Sequence, residues 1–198
     1  AYGADPEIIN RAMGIVRLHL PEGVDIEELA HIISDQTGRV FAEPDYAYPI
    51  VLDRPLPIAP QLDREKLAAL PASVGSGVAV LDSGLSESLA DSPFISASFD
   101  AISPGSVISD PLGHGTHVAG TIAGTGLLSS GVHRGIAPET QIVDLRVLNG
   151  QGQGVTSDVI AGLDWVLAHG ADYGIKAVNL SLGKGVEEST LTDPLVLA

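Results

Sequence analysis

Asp82, His114 and His117 are the residues of this sequence whose types and spacing suit a proton relay or a metal site. Asp82 closes the apolar run Val78-Ala79-Val80-Leu81 and is followed by Ser83-Gly84. Both histidines lie in Gly113-His114-Gly115-Thr116-His117-Val118-Ala119-Gly120-Thr121-Ile122-Ala123-Gly124. The carboxyl end of a buried parallel strand is where α/β proteins place their sites, although an Asp there also serves as a cap for the next segment. A carboxylate that accepts the Nδ1 proton of a His fixes its tautomer and makes the ring a general base. Two His three apart on a helix also offer imidazoles to a metal. The Glu of H-E-x-x-H is missing, however, and the spacing differs from that motif. A nucleotide site has less support: there is no G-x-x-x-x-G-K-[ST], and Gly150-Gln151-Gly152-Gln153-Gly154 departs from G-x-G-x-x-G.

The elements that must position these side chains follow from the apolar pattern. Val78 to Leu81 is continuously apolar, as in a strand buried on both faces. Strands are also expected at Ile142 to Leu148 and Ala177 to Leu182, with helices at His114 to Gly124 and Ser157 to His169. Alternating strands and helices predict an α/β fold, a parallel sheet with helices on both faces, over residues 74–198. Gly115, Ala119, Gly120 and Ala123 predict a helix packed very close to that sheet, its amino end holding His114 toward Asp82. Residues 1–48 read as a small α+β unit. A strand at Ile15 to Leu20 leads to a helix capped by Asp25 with Glu28 three residues on, and Ile26, Leu29, Ala30 and Ile33 share one face of it. A second strand begins at Val40-Phe41-Ala42. Residues 49–73 read as a linker broken by Pro49, Pro55, Pro57, Pro60 and Pro71, with room for one short helix at Asp63 to Leu70. At the other end, Thr192-Asp193-Pro194 starts a helix that stops after one turn, which predicts that the sequence is cut short.

Composition narrows the functional classes. The 198 residues carry 25 acidic against 10 basic side chains, a formal net charge of -15. Such a surface repels phosphate, so nucleic acid and anionic membrane are excluded as expected partners. Cysteine is absent, which rules out thiolate metal sites, disulfides and a Cys nucleophile. No apolar run approaches a membrane span, and the first residues do not have the pattern of a signal peptide.

Val78-Ala79-Val80-Leu81-Asp82-Ser83-Gly84 and His114-Gly115-Thr116-His117-Val118-Ala119-Gly120 resemble the Asp and His signatures of the subtilisin-like serine proteases (peptidase family S8). Asp precedes His in both, and the separation of 32 residues is that of subtilisin. Gly135-Ile136-Ala137-Pro138 resembles the family's G-V-A-P. Gly152-Gln153-Gly154 resembles the segment whose backbone pairs with an extended substrate, and Asn179-Leu180-Ser181-Leu182-Gly183 resembles N-M-S-L-G, which lines the primary specificity pocket. Val40 to Tyr48 resembles the end of a subtilase pro-segment, of which only the second half is recognisable.

The resemblance implies a secreted serine endopeptidase acting on peptide or protein substrates. Its catalytic pair would be Asp82 and His114, and Gly152, Gly154, Ser181, Leu182 and Gly183 would bind substrate. The family's nucleophile, in a G-T-S-M-A-like motif, and its oxyanion Asn have no counterpart here. Ser83, Ser181 and Ser189 lack the elbow that presents a nucleophile, and Asn179 belongs to another motif. The expectation is therefore an amino-terminal portion, inactive alone, whose Ser and Asn belong to a missing carboxyl-terminal part, as absent sequence or as a second chain. The pro-segment junction is expected near Tyr48-Pro49, with cleavage there, a few residues later near Leu52-Asp53, or not at all. No cofactor is expected. The resemblance also implies a structural calcium: Asp91 could match a family ligand, and Thr125 to His133 lacks carboxylates but could offer backbone carbonyls, so no metal residue is assigned. Two readings of other classes are a non-catalytic peptide-binding or inhibitory module, which has no need of a base at His114, and a metal protein using His114 and His117.

Overall fold

The computed structural model describes residues 3–10, 14–37, 42, 45, 47–49, 76–86, 95–130 and 134–183. Strand β4 (Gly77–Asp82) is the centre of the molecule, with Ala79, Val80 and Leu81 wholly buried. It lies between β6 (Gln141–Arg146) and β8 (Ile175–Leu180), and β5 (Ile95–Asp100) flanks β6. All neighbours run parallel in the order β5-β6-β4-β8, and Asp82 stands opposite Arg146.

A strand buried on both faces needs a layer on each side, and the alternation of side chains supplies both contacts. Ala79 and Leu81 join Val143 and Leu145 against Val159 and Leu163 of α3 (Thr156–His169). Val80 and Ile142 point the other way, onto Ala119 and Ala123 of α2 (His114–Ala123). This is the expected α/β arrangement. Gly115, Ala119 and Ala123 are buried on α2, but Gly120 has open space where a Cβ would stand, so it takes no part in the close packing.

The amino-terminal unit comprises β1 (Asp5–Asn10), paired antiparallel with β2 (Ile15–His19), and then α1 (Ile26–Thr37). Asp25 caps α1 by accepting the Glu28 N–H at 2.9 Å. Of the expected apolar face Leu29 is buried, while Ile26 is half exposed. Strand β1 has no sequence signal, because Asp5-Pro6 reads as a turn; Pro6 is tolerated because β1 has only β2 as a strand neighbour among the described residues. Of the strand expected at Val40 to Ala42, the first two residues lie outside the described ones. Ala42 is not in a strand, and its N–H donates to Ser34 Oγ at 3.0 Å. The strand found is β3 (Ala47–Pro49), which takes Pro49 out of the expected linker. It pairs antiparallel with β7 (Gln153–Val155): Ala47 opposes Val155, Tyr48 opposes Gly154 and Pro49 opposes Gln153. Observed β8 begins two residues before the expected strand and ends at Leu180. The short helix expected at Asp63 to Leu70, Asp91, and the segment 192–198 lie outside the described residues.

Candidate active site

Asp82 is delivered by the last position of β4 and is almost wholly buried. Its carbonyl oxygen accepts from the Val147 and Leu148 N–H groups, which ties the start of the β6–β7 turn to it. One carboxylate oxygen accepts the Ser83 N–H at 2.7 Å. Both oxygens face Nδ1 of His114, at 2.7 and 2.9 Å. An ionised carboxylate only accepts, so Nδ1 carries the proton and Nε2 is left as the basic nitrogen.

His114 reaches this position because it is the first residue of α2 and because α2 starts against β4. A Cβ on Gly115 would lie 2.3 Å from Gly84 O and 3.2 Å from Asp82 Cβ, so only glycine allows the approach. Gly84 has φ +101°, which also calls for glycine. Asp110 fastens the junction. Its Oδ1 accepts from Ser83 Oγ at 2.7 Å and Gly113 N–H at 2.8 Å, and its Oδ2 accepts from Thr116 N–H at 2.8 Å and Thr116 Oγ at 2.6 Å. Burial pushes the Asp110 carboxyl up, but the hydrogen bonds from Thr116, Ser83 and Gly113 outweigh it and hold the group below its ordinary range. Ser83 Oγ in turn accepts the Gly115 N–H at 3.1 Å. Sequence reasoning missed Asp110, although an Asp just before a helix start is a readable capping signal.

The remaining expected residues flank this pair. Gly152 and Gly154 are buried on the turn into β7 and in β7 itself; Gly152 has φ +74°, and a Cβ on Gly154 would meet Val147 O at 2.2 Å. Asn149 shapes that turn through Oδ1, which accepts from the Gln151 and Gln153 N–H groups at 2.9 and 3.0 Å. Ser181, Leu182 and Gly183 follow β8 at the same sheet end; Ser181 Oγ accepts from Asn179 Nδ2 at 2.9 Å, and Leu182 packs on the α3-side core. His117 is exposed. Among the described residues no group of three or more His, Cys, Asp or Glu side chains is arranged to hold a metal ion, and no helix is long and apolar enough to cross a membrane.

A deeper acidic residue was also missed. Asp144 of β6 is 3% exposed, with one carboxylate oxygen unpartnered, and it lines a cavity of about 410 Å³ with Leu85, Ser98, Phe99, Asp100 and Ile108. Burial pushes its carboxyl up to about 7; the Leu85 N–H opposes this, and the charges of Asp110, Asp100 and Asp82 add to it.

With this geometry in view, the comparisons place the chain in the subtilase family, to which it belongs. The family profile (peptidase S8) matches residues 74–195. Serine protease AprX of Bacillus subtilis (strain 168) is 40% identical over 94 residues, 45% of this chain and 21% of that protein. The extracellular serine proteinase of Thermus sp. (strain Rt41A) is 36% identical over 181 residues, 85% of this chain and 38% of that protein. A crystal structure of a cold adapted subtilisin-like serine proteinase matches 64% of this chain and 44% of that one, with 34% identity and a TM-score of 0.48. The chain thus spans between about a fifth and two fifths of the length of these two protein relatives.

Proposed function

We propose that the chain is the amino-terminal portion of a secreted subtilisin-like serine endopeptidase, with residues 1–48 acting as the end of its pro-segment. The observation that carries this reading is the Asp82–His114 pair at 2.7 Å, set at a strand end beside a β7 edge that already holds an extended segment. The segment on that edge runs antiparallel and bonds main chain to main chain, as a peptide substrate would. Residues 47–49 therefore occupy the groove as a built-in inhibitor.

In the complete enzyme a Ser from beyond this chain attacks the peptide carbonyl while His114 Nε2 takes its proton. The same nitrogen then gives that proton to the leaving amine. Asp82 holds Nδ1–H and stabilises the imidazolium. An Asn from the same missing part would receive the oxyanion. Secretion is inferred by analogy with the Thermus proteinase, which is named extracellular.

A fluorophosphonate probe tests the reading. The complete protein, once freed of its amino-terminal unit, is expected to become labelled on one serine, and His114→Ala should abolish the labelling. The 198-residue chain alone should stay unlabelled. Labelling of that chain, or hydrolysis that survives His114→Ala, would overturn the assignment.

A further inference from the structure

Between the amino-terminal unit and the catalytic region, one guanidinium faces three carboxylates. Arg17 of β2 donates from Nη2 to Asp158 Oδ1 at 2.7 Å, from Nε to Asp45 Oδ2 at 3.0 Å and from Nη1 to Glu7 Oε2 at 3.3 Å. Its Nη2 also bonds Ser157 Oγ, and Ser157 Oγ bonds Asp45. Asp45 Oδ1 accepts the Ser157 N–H at 3.0 Å, so it occupies the amino end of α3. Asp158 lies in the same first turn and is itself buried. One helix end thus carries two carboxylates. Burial outweighs the help of Arg17 and pushes the Asp158 carboxyl up, while Asp158 and Asp45 together raise Arg17 against the opposite effect of its own burial. Without the guanidinium, Asp45 would meet Asp158 as a like charge.

The position of this cluster along the strand pair matters more than its strength. Ala47 opposes Val155 and Pro49 opposes Gln153. Asp45 lies two residues before Ala47 of β3, and Ser157, at the start of α3, lies two residues after Val155 of β7. The side-chain contact of Asp45 with the Ser157 N–H, which the Arg17 cluster locks, thus stands directly beside the strand pair. A strand three residues long, with Pro at one end and Gly opposite its middle, has little of its own to fix register.

We propose that Arg17, gripping Asp45 and Asp158, is the register pin of the groove-bound strand and so selects which peptide bond downstream of Pro49 is offered to the catalytic pair. This rests on reading residues 1–48 as a pro-segment. Arg17 is a positioning residue that never meets the scissile bond. A slip of one residue turns every side chain of the strand over, so the alternative presentations lie two residues away.

The test compares Arg17→Met, Asp158→Asn, the double variant and Arg17→Lys in the complete protein. Intact mass of the released piece should give one cleavage site for the parent and for Arg17→Lys, but two or more sites for Arg17→Met. In the 198-residue chain, hydrogen exchange at the Ser157 amide should speed up about tenfold in Arg17→Met, with the double variant no worse than Arg17→Met alone. Unchanged cleavage and exchange in Arg17→Met would overturn the proposal. So would additive effects of the two single changes, or an exchange rise spread equally over β4 and β6, which would mark Arg17 as a general stability residue. A parent that releases no piece and hydrolyses no peptide would sink the pro-segment reading instead, and the exchange experiment tells the two failures apart.

Discussion

At the scale of single residues, Asp82 and Asp144 show how two buried carboxyls a few residues apart in the sheet come to differ. Asp82 receives two donors, the Ser83 N–H and the His114 ring, whereas Asp144 has one oxygen without a hydrogen-bond partner among the described residues. Replacing Asp82 by Asn puts a donor where His114 Nδ1–H must point and favours the wrong tautomer. Asp82→Asn in the complete enzyme is expected to lower kcat by about 10⁴-fold with KM little changed, read from steady-state peptide hydrolysis. Asp144 has the Leu85 N–H but, among the described residues, no cation, and burial pushes its carboxyl up to about 7. The neutral form is the one that suits the fold. Its stabilisation is therefore complete below the unfolded value and is lost as pH rises through about 7, a swing of ~4 kcal/mol at most. Asp144→Asn removes the titration. Thermal melts should show it several degrees more stable than the parent at pH 8 and little different at pH 4; equal differences at both pH values would contradict the assignment.

At the scale of elements, the α2 junction is built to hold one distance. Gly115→Ala inserts a methyl group against the Gly84 carbonyl and must push α2 away from β4. The expected result is a lower melting temperature together with a complete enzyme that reacts with a fluorophosphonate far more slowly. Asp110→Asn keeps the shape but weakens the charge-assisted bonds to the Thr116 and Gly113 amides. A loss of about 1–3 kcal/mol in denaturant titration is expected. Because the Asp110 carboxyl is held low, its contribution is present above the ordinary carboxylate range and disappears as pH falls through its lowered value. These junctions also explain what the sequence made legible. Val78 to Asp82 and His114 to Ala123 are local patterns with strong apolar or small-residue signals, so both elements and their pairing were readable. Strand β5, Ile95-Ser-Ala-Ser-Phe-Asp, is half polar and is an edge among the described residues, and β7 is three residues around a glycine; neither announces itself by pattern. The Arg17 cluster joins positions about 140 residues apart, and no local spacing encodes that.

At the scale of the whole molecule, β8 is an edge of the sheet among the described residues. That strand pairs only with β4 among the described residues, and Val178 and Leu180 are 37% and 40% exposed. An exposed edge with apolar side chains is a template for another strand. Charge opposes this association over long range, since each copy carries a net charge of -15, but that repulsion is screened beyond about 10 Å at 0.1 M salt. The short-range pairing of edges is not. The chain of 198 residues is therefore expected to self-associate as concentration and salt rise together, measured by light scattering behind a sizing column. Val178→Lys, a charge on the edge itself, should keep it monomeric without lowering its melting temperature. If further sequence of a complete enzyme were to pair with this edge, the same substitution should instead be destabilising there. A 198-residue chain that stays monomeric at every concentration and salt would mean that β8 is already covered by residues of this chain, and the opposite sign of Val178→Lys in the two proteins would then not be seen.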